Sequence, residues 1–244
     1  MDNDPGKKLL VVLPTYNEKE NIVRITEAVL SIGLPASILI VDDNSPDGTG
    51  PLADELARKH SNVFVIHRPS KLGLGSAYVA GFKFGIEKGF DYICEMDADF
   101  SHDPNYLKDI YIGIQDHDLV NGSRYLNGIS IVHWPMHRLL MSYIGNTYVK
   151  LVTGMSFTDC TGGFKCFRAD VLRSIGLDNV TSKGYIFQTE MLYRTYRKGF
   201  RITEVPIIFY NRKYGKSKMD KSEIVESLLR VVYLRCTVPS ARRS

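Results

Sequence analysis

The sequence predicts a single α/β domain with a mostly parallel, Rossmann-like sheet flanked by helices. Three observations lead to this prediction. Short apolar runs alternate with segments of helical periodicity over the first half of the chain, as in βαβ units. The runs are apolar throughout rather than at alternate positions, which is typical of strands covered on both faces. The 244 residues contain no repeat or linker, and this length suits one α/β domain.

Five strands and four helices are predicted in the first half. The strands are residues 9–13, 38–41, 63–66, 92–96 and 119–123. The helices are residues 20–32, 49–60, 77–87 and 106–115. The first helix illustrates the pattern, because Ile22, Ile25, Val29 and Ile32 recur near one face and Gly33 follows.

The second half is less regular. Helices are predicted at 138–151, with an interruption at Gly145, and at 187–197. A strand at 202–209 contains Pro206, which indicates the edge of a sheet because proline cannot donate to a neighbouring strand. A final amphipathic helix spans 222–235. We therefore expect one main domain, 1–221, followed by a C-terminal amphipathic helix and tail, 222–244.

Composition excludes several classes of protein. A net charge of +4 suits anionic substrates but is too small to indicate a nucleic-acid-binding protein. The 4 cysteines form no C-x-x-C pair, so no zinc or redox motif is indicated, and a reducing cytoplasm is the simpler environment. Residues 1–8 are polar, and no apolar run reaches the roughly 20 residues of a spanning helix. We expect a soluble protein or one attached to a membrane surface.

Polar clusters follow three of the predicted strands. They are 14–18, 42–47 and 97–99. Ligands of open parallel sheets bind beyond the carboxyl ends of the strands, so these clusters are expected to form one site. Asp97 and Asp99 leave their strand close enough together to bind one cation, and Mg²⁺ or Mn²⁺ joins such carboxylates to substrate phosphates. The alternative for this pair is an Asp-capped turn.

The second cluster has two interpretations. Asp42 and Asp43 can accept hydrogen bonds from a ribose or a base, whereas Asp47 and Thr49 can cap the next helix. Both roles are compatible. The glycine-containing loop at 71–75 is an incomplete dinucleotide fingerprint and does not follow the first strand, so we exclude a nicotinamide cofactor.

Basic residues of the second half indicate a phosphate-rich ligand. Arg124 follows the fifth strand, Arg138 opens a helix, and Arg212 and Lys218 lie in a loop. Arginine is favoured where phosphate must be bound in one orientation. A solvated basic loop is the alternative for any single lysine, but separate basic clusters beside an acidic metal site favour phosphate.

Six motifs in order resemble family 2 glycosyltransferases, in particular the dolichol-phosphate (polyprenol-phosphate) mannosyltransferases. They are PTYNE at 14–18, DDNSPD at 42–47, LGLG at 72–75, MDAD at 96–99, GSRY at 122–125 and YGKSK at 214–218. The resemblance covers about residues 7–235. The segments TGGF at 161–164 and SKGY at 182–185, with Gln188 and Glu190, are similar as well.

The resemblance implies a GT-A fold and inverting transfer of mannose from GDP-mannose to a polyprenyl (dolichyl) phosphate. It implies nucleotide contacts for Pro14, Tyr16, Glu18, Val41 and Asp43. It implies that Asp97 and Asp99 hold Mg²⁺ or Mn²⁺ and the donor diphosphate, with Ala98 alongside. It implies phosphate contacts for Arg124, Arg212 and Lys218, and contacts with the lipid phosphate for Arg138 and Ser142. Asp99, Arg124 and Arg212 would be the catalytic groups.

The chain departs from some members of the family, and the resemblance also implies partners and a location. Some relatives carry glutamine as a further metal ligand, and here that position is Ser101. Others continue into spanning helices, whereas this chain resembles the short form. A peripheral enzyme on the cytoplasmic face of a membrane, with small membrane-anchoring subunits as partners and no nucleic acid, is therefore expected. The acceptor phosphate is already an anion at neutral pH, so no dedicated base is expected.

Other functions remain open at this point. A UDP-sugar donor, for example for glucose transfer, would use the same fold and metal site. A nucleotidyltransferase would need a basic glycine-rich loop after the first strand, where residues 14–18 are acidic. A non-enzymatic nucleotide-binding regulator is the third alternative. The helix at 222–235 and the segment 129–151, which includes Trp134, are candidates for lipid contact. The alternative for the helix is packing on its own domain, which is usual for amphipathic helices.

Overall fold

A seven-stranded sheet forms the centre of the structure, a computed structural model that describes residues 7–182, 184, 186–211 and 221–240. The strands are β1 (Leu9–Thr15), β2 (Ala36–Asp42), β3 (Val63–His67), β4 (Tyr92–Glu95), β5 (Leu119–Ser123), β6 (Ile131–Val132), β7 (Lys165–Arg168), β8 (Ile202–Pro206) and β9 (Phe209–Tyr210). The order in the main sheet is β3-β2-β1-β4-β7-β5-β8, and β6 pairs with β9 in a separate two-stranded sheet.

The main sheet is mostly parallel, as expected. The neighbouring pairs β3–β2, β2–β1 and β1–β4 are parallel, and so is the pair β5–β8. β7 is antiparallel to both of its neighbours, β4 and β5. All parallel strands therefore end at the same edge of the sheet, and this carboxyl edge is where the loops after β1, β2, β4 and β5 lie together.

Eight α-helices connect or flank the strands in the described part of the chain. They are α1 (Ile22–Leu30), α2 (Thr49–Lys59), α3 (Leu74–Glu87), α4 (Leu107–Asp116), α5 (Met136–Thr153), α6 (Ala169–Ser174), α7 (Ile186–Arg197) and α8 (Lys221–Thr237). The expected interruption at Gly145 is wrong, because α5 continues through it. One glycine costs only about 1 kcal/mol in a helix, and packing of α5 against the domain and α8 offsets this cost.

Both faces of the sheet are buried because side chains of each strand alternate between two hydrophobic clusters. Leu10 and Val12 of β1 belong to one cluster, with residues of α3, α5, α6, α7 and α8. Leu9, Val11 and Leu13 belong to the other, with residues of α1, α2 and α4. This arrangement explains why the strands are apolar throughout.

The last helix packs on the domain with one face and leaves the other exposed. Val231, Leu234 and Val238 are buried in the cluster that contains α5 and α7. Leu229, Val232 and Tyr233 are exposed. The predicted boundary between the main domain, 1–221, and the C-terminal helix and tail, 222–244, stays a prediction. Within the described residues, no helix combines the length and the apolar character required to cross a membrane.

Candidate active site

The loops after β1 and β2 are joined by buried hydrogen bonds. The Thr15 hydroxyl donates to Asp42 Oδ1 over 3.0 Å. Ser45 donates to the same carboxylate from its backbone N–H over 3.1 Å and from its hydroxyl over 2.5 Å. Asn17 and Asn44 adopt positive φ angles of 62° and 57° in these loops, which asparagine tolerates better than most residues. Asp42 therefore shapes the loops rather than facing a ligand.

Asp47 and Thr49 lie on either side of the N-cap of α2, which is Gly48 and has no side-chain cap hydrogen bond, so the prediction that one of them is the cap is wrong, although Asp47 bonds the first helical residue. Asp47 Oδ1 accepts from the Thr49 backbone N–H over 3.0 Å and from the Thr49 hydroxyl over 2.6 Å. Burial raises the pKa of Asp47, but these bonds and one from the Lys19 backbone lower it more, so the net shift is downward. Thr49 Oγ1 also accepts from the Glu18 backbone N–H over 3.0 Å, which positions Glu18 at the carboxyl edge.

Asp43 is the second buried carboxylate of this cluster. Its Oδ2 accepts from the backbone N–H groups of Leu72 and Gly73, each over 3.0 Å. Its Oδ1 lies 3.0 Å from Arg68 Nε, and both side chains are almost fully buried. Asp43 thus holds the glycine-containing loop against β2. A carboxylate has about four acceptor sites, so a ligand hydroxyl can share this group with the loop.

Three other predicted donor residues lie at the same edge. Pro14 and Val41 are directly paired at the ends of β1 and β2. The Tyr16 ring is partly exposed, and Lys71 Nζ lies 4.3 Å from the ring centroid, which is within the range of a cation–π interaction. The structure therefore brings together all five predicted nucleotide contacts, including Glu18 and Asp43.

The loop after β4 presents Asp97 and Asp99. Asp97 Oδ1 accepts from the Tyr78 hydroxyl over 3.1 Å, and Asp99 Oδ1 accepts from the Ser101 backbone N–H over 3.0 Å. Ala98 between them is buried. Phe100 has a φ of 61°. A bulky residue in this region is strained, and such strain often accompanies a functional loop.

His102 lies beneath this loop as a neutral imidazole. Its Nδ1 accepts from the Asp97 backbone N–H over 3.1 Å, which places the proton on Nε2. Burial is the largest influence on this ring and lowers the pKa of His102 to about 3. The ring stacks on Phe164 with centroids 4.9 Å apart. Sequence reasoning missed His102, although its place just after the acidic pair was a usable signal.

The two carboxylates fit a magnesium or manganese ion held jointly with a diphosphate. The Asp97 side chain is 32% exposed, and Asp99 lies two residues further along the same loop. Among the described residues, no group of three or more histidine, cysteine, aspartate or glutamate side chains is arranged to hold a metal ion. Magnesium usually takes one or two carboxylates and completes its shell with phosphate and water, so a two-carboxylate site suits it.

Arg124 follows β5 and has a buried acidic partner. Its Nε and Nη2 contact the Asp159 carboxylate over 2.6 and 2.8 Å, and Nη2 also donates to Thr161 Oγ1 over 2.8 Å. Burial raises the pKa of Asp159, but Arg124 and hydrogen bonds lower it more, so the net shift is downward. Asp97 is among the charges that act on Arg124. The Phe209 centroid lies 5.6 Å from Arg124 Cζ and 5.4 Å from the centroid of His102, which bonds the Asp97 backbone, so the guanidinium lies near the acidic loop.

A buried polar group lies under the site. Glu95 on β4 and Lys165 on β7 are fully buried, and Lys165 Nζ donates to Gln188 Oε1 over 2.9 Å and to the Gly162 carbonyl. Burial raises the pKa of Glu95 to about 7, while Lys165 opposes the shift. Lys165 thereby holds the loop before β7, which carries Thr161 and Gly162.

Arg138 and Ser142 lie on α5, which the β6 segment positions beside the carboxyl edge. Arg138 Nη1 donates to Asn211 Oδ1 over 3.0 Å, and its Cζ lies 3.9 Å from the Trp134 ring centroid. The Ser142 and Tyr125 hydroxyls are 2.9 Å apart. Since Tyr125 follows Arg124 in the chain, this contact links α5 to the loop after β5.

Two predicted phosphate ligands, Arg212 and Lys218, lie outside the described residues. Among the residues that are described, several side chains at the site were missed by sequence reasoning. They are Arg68, Tyr78, His102, Asp159 and Lys165. Arg68 and Tyr78 lie close to the LGLG segment at 72–75, and Asp159 and Lys165 lie on either side of TGGF at 161–164. They were missed because their roles depend on burial and on partners distant in sequence.

Comparison with protein families and sequence relatives identifies the class of this site. The family model described as Glycosyl transferase family 2 matches residues 10–176. The chain is 45% identical over 225 residues to an undecaprenyl-phosphate mannosyltransferase of Micrococcus luteus, covering 92% of each chain. It is 44% identical over 229 residues to a polyprenol monophosphomannose synthase of Mycolicibacterium smegmatis, covering 93% of this chain and 86% of the relative.

Solved structures show the same fold at lower identity. A glucosyl-3-phosphoglycerate synthase from Mycobacterium tuberculosis, in complex with Mn²⁺, UDP and glucosyl-3-phosphoglycerate, has a TM-score of 0.64 and 18% identity. The match covers 97% of this chain and 82% of that one. The same synthase with Mn²⁺ and UDP-glucose has a TM-score of 0.66. The expected GT-A-type α/β fold with a mostly parallel sheet is confirmed.

Proposed function

The chain belongs to glycosyl transferase family 2, and on that premise we propose that it transfers mannose from GDP-mannose to a polyprenyl phosphate with inversion at the anomeric carbon. One observation carries the proposal. Arg124 lies near the loop of Asp97 and Asp99 at the carboxyl edge, beside the loops that hold Glu18 and Asp43. This arrangement suits a nucleoside diphosphate whose charge must be neutralised as it leaves.

The proposed donor site uses the loops after β1, β2 and β4. Pro14, Tyr16 and Val41 would line the nucleotide, with hydrogen bonds to Glu18 and Asp43. Asp97 and Asp99 would hold Mg²⁺ or Mn²⁺ together with the diphosphate, with Ala98 alongside. A metal ion there would supply positive charge to the leaving diphosphate. The Mn²⁺ bound to the synthase of the same fold supports this metal assignment.

The proposed acceptor site uses the arginines. Arg124 would bind phosphate with its remaining Nη1, since Nε and Nη2 contact Asp159 and Thr161. Arg138 and Ser142 would bind the lipid phosphate, and Arg212 and Lys218 remain proposed phosphate ligands. The acceptor phosphate is anionic at neutral pH, so it can attack the anomeric carbon without a dedicated base. The residues around it have to orient it and exclude water.

The names of the relatives support the proposed acceptor. Two relatives near 45% identity over most of the chain are a mannosyltransferase of undecaprenyl phosphate and a polyprenol monophosphomannose synthase. A lipid acceptor stays in a bilayer because burial of each methylene contributes about 0.8 kcal/mol. We therefore propose that the enzyme works on the cytoplasmic face of a membrane, attached at its surface.

A panel of labelled sugar nucleotides with a short polyprenyl phosphate tests the proposal. GDP-mannose is expected to be consumed in a divalent-metal-dependent reaction that yields a lipid-linked mannose, and GDP is expected to compete. UDP-glucose should give no product. Turnover of UDP-glucose alone would replace the proposed donor, and absence of turnover with every donor would favour a nucleotide-binding regulator.

A further inference from the structure

The pair β6–β9 lies outside the main sheet and has no role in the proposed function. On one side, Phe209 N donates to the Ser130 carbonyl over 2.9 Å and Asn211 N donates to the Val132 carbonyl over 3.1 Å. On the other side, Tyr210 N donates to the Ser101 carbonyl over 3.2 Å. β9 thus joins the loop of the acidic pair to the segment that leads into α5.

The Phe209 ring occupies the space between these two elements. Its centroid lies 5.4 Å from that of His102 and 5.5 Å from that of Trp134, both edge to face. Arg124 Cζ lies 5.6 Å from the Phe209 centroid, and Arg138 Cζ lies 3.9 Å from the Trp134 centroid. Two adjoining rings therefore stand between the two guanidinium groups.

Such a placement limits where the arginines can go. A guanidinium is attracted to the face of an aromatic ring, and its long side chain otherwise has considerable rotamer freedom. Arg124 is also held by Asp159, but Arg138 is held by Trp134 and by Asn211. Asn211 follows β9 directly. Through Asn211, and through the contact of Phe209 with Trp134, the segment that carries Phe209 therefore contributes to the position of Arg138 relative to the acidic loop.

We propose that Phe209 is a positioning residue, which holds Arg124 and Arg138 at the separation needed to bind the acceptor phosphate beside the Asp97–His102 loop. The inference rests on the proposed function, because it takes the arginines as ligands of the acceptor phosphate. In this role Phe209 would contact neither substrate. It acts through Trp134 and the two guanidinium groups, and small errors in their position are costly to transfer.

The chain offers a direct reporter for this arrangement. Trp134 is its only tryptophan and lies against both Phe209 and Arg138. Farnesyl phosphate, a short polyprenyl phosphate, is therefore expected to change the tryptophan emission of the wild-type protein in a saturable way. Absence of any response would overturn the proposal.

Substitutions at Phe209 then test the positioning role. Phe209→Leu keeps apolar bulk but loses the ring face, and we expect about tenfold or greater loss in farnesyl phosphate affinity and in acceptor kcat/KM. Phe209→Tyr keeps the ring and should retain both. GDP affinity should fall much less than farnesyl phosphate affinity, because Phe209 reaches the acidic loop only through His102 and the donor loops after β1 and β2 are separate from it. Phe64→Leu, a change of a partly buried ring on β3, is the matched control and should leave all three values unchanged.

A double-mutant cycle with Arg138→Lys separates positioning from a loss of structure. If Phe209 acts through Arg138, the double variant should lose little more than the poorer single variant. Independent, multiplying losses, or wild-type behaviour of Phe209→Leu, would overturn the proposal. The proposed function fails separately, if wild type binds farnesyl phosphate but does not consume GDP-mannose.

Discussion

Arg124 shows how one side chain serves two tasks at this site. Its contacts with Asp159 and Thr161 use Nε and Nη2, and Nη1 is the nitrogen that the proposed function assigns to a phosphate. Asp159 is itself fully buried and accepts the Arg124 and Thr161 backbone N–H groups as well. The pair holds the end of β5 and the loop before β7 together, which orients the arginine before a ligand arrives.

The buried pair leads to a prediction about stability. Asp159→Asn should lower the free energy of unfolding at neutral pH by roughly 3–5 kcal/mol, because Arg124 is left buried without its counter-charge. The pKa of Asp159 is depressed from 3.8 to about 2, so its contribution is fully present above pH 3.8. It is lost as the pH falls toward about 2. Chemical denaturation over this pH range should show a shrinking difference in the free energy of unfolding between the wild-type protein and Asp159→Asn.

An exposed ion pair supplies the control for this experiment. Asp170 and Arg173 are in contact, but the Asp170 side chain is 88% exposed. Asp170→Asn should change the free energy of unfolding by less than about 1 kcal/mol, since exposed pairs are worth little. Equal effects of Asp159→Asn and Asp170→Asn would contradict the structural role assigned to the buried pair.

The acidic pair gives a prediction about activity. Asp99→Asn and Asp97→Asn should each reduce transfer by about 100-fold or more, because a neutral amide is a poorer ligand for Mg²⁺ or Mn²⁺ and leaves phosphate charge less stabilised. Rates are to be measured at limiting metal concentration. Asp109→Asn, an exposed carboxylate on α4, should behave as wild type. Normal rates in either site variant would refute the metal assignment.

At the level of single residues, local sequence patterns identified the polar positions at strand ends and few others. Asp43, Asp97 and Arg124 were predictable because strand ends of a parallel sheet converge. Asp159 and Lys165 were not, because their partners lie 35 and 23 residues away in sequence. Their roles depend on burial and on the antiparallel strand β7, neither of which has a local signature.

Among the helices, α5 and α8 share an unusual property. They pack against each other, with the Tyr148 hydroxyl donating to the Leu228 carbonyl over 2.9 Å, yet both expose large apolar side chains. On α5 these are Met136, Leu140, Met141, Tyr143, Ile144 and Leu151. On α8 they are Leu228, Leu229, Val232 and Tyr233. An exposed apolar surface of this kind usually contacts another molecule, and the proposed lipid acceptor indicates a membrane.

This surface can be tested without disturbing the core. Leu140 and Ile144 are 56% and 53% exposed, so changing both to glutamate should leave folding intact. Full burial of one such side chain contributes roughly 1.5–3 kcal/mol, and the double variant should bind liposomes at least about tenfold more weakly. Flotation with vesicles that contain anionic lipid provides the measurement.

A glutamate on another helix is the matched control. Ile112 on α4 is 65% exposed, and α4 covers the opposite face of the sheet from α5 and α8. Ile112→Glu should float as wild type does. If the double variant on α5 also floats normally, α5 is not the lipid-binding helix. Transfer to short, water-soluble acceptors could then still occur.

The elements of the first half were easier to predict than those of the second. Strands β1 to β5 and the helices between them were predicted near their observed positions, since each is a continuous apolar or periodic run. β7 was missed because its four residues, KCFR, place polar groups at both ends of a short apolar pair. Its strand character comes from pairing with β4 and β5 on both sides. The strand at 202–209 ends at Pro206, and its position at the sheet edge is confirmed.

At the scale of the whole molecule, the sheet separates two sets of loops. The carboxyl edge carries the motif loops at 14–18, 42–47, 71–75 and 96–102. The amino edge carries short connections such as 33–35, 60–62 and 88–91. The proposed function requires every donor contact to lie at the first edge. It therefore predicts that a bound nucleotide protects the loops of the carboxyl edge from hydrogen exchange and does not protect loops of similar burial at the amino edge.

Hydrogen exchange in the presence of GDP and Mn²⁺ should show this polarity. Loop amides exchange through local opening, so a bound nucleotide should slow exchange at the carboxyl-edge loops and leave the amino-edge connections unchanged. At a ligand concentration about 100 times Kd, binding stabilises the native state by about 2.7 kcal/mol, which is enough to slow exchange by about 100-fold where opening excludes the ligand. The Asp97→Asn protein serves as the control, and its protection should weaken most at 96–102. Protection confined to the amino edge would place the nucleotide elsewhere and remove the basis of the donor assignment, because only the carboxyl edge brings the acidic pair and Arg124 together.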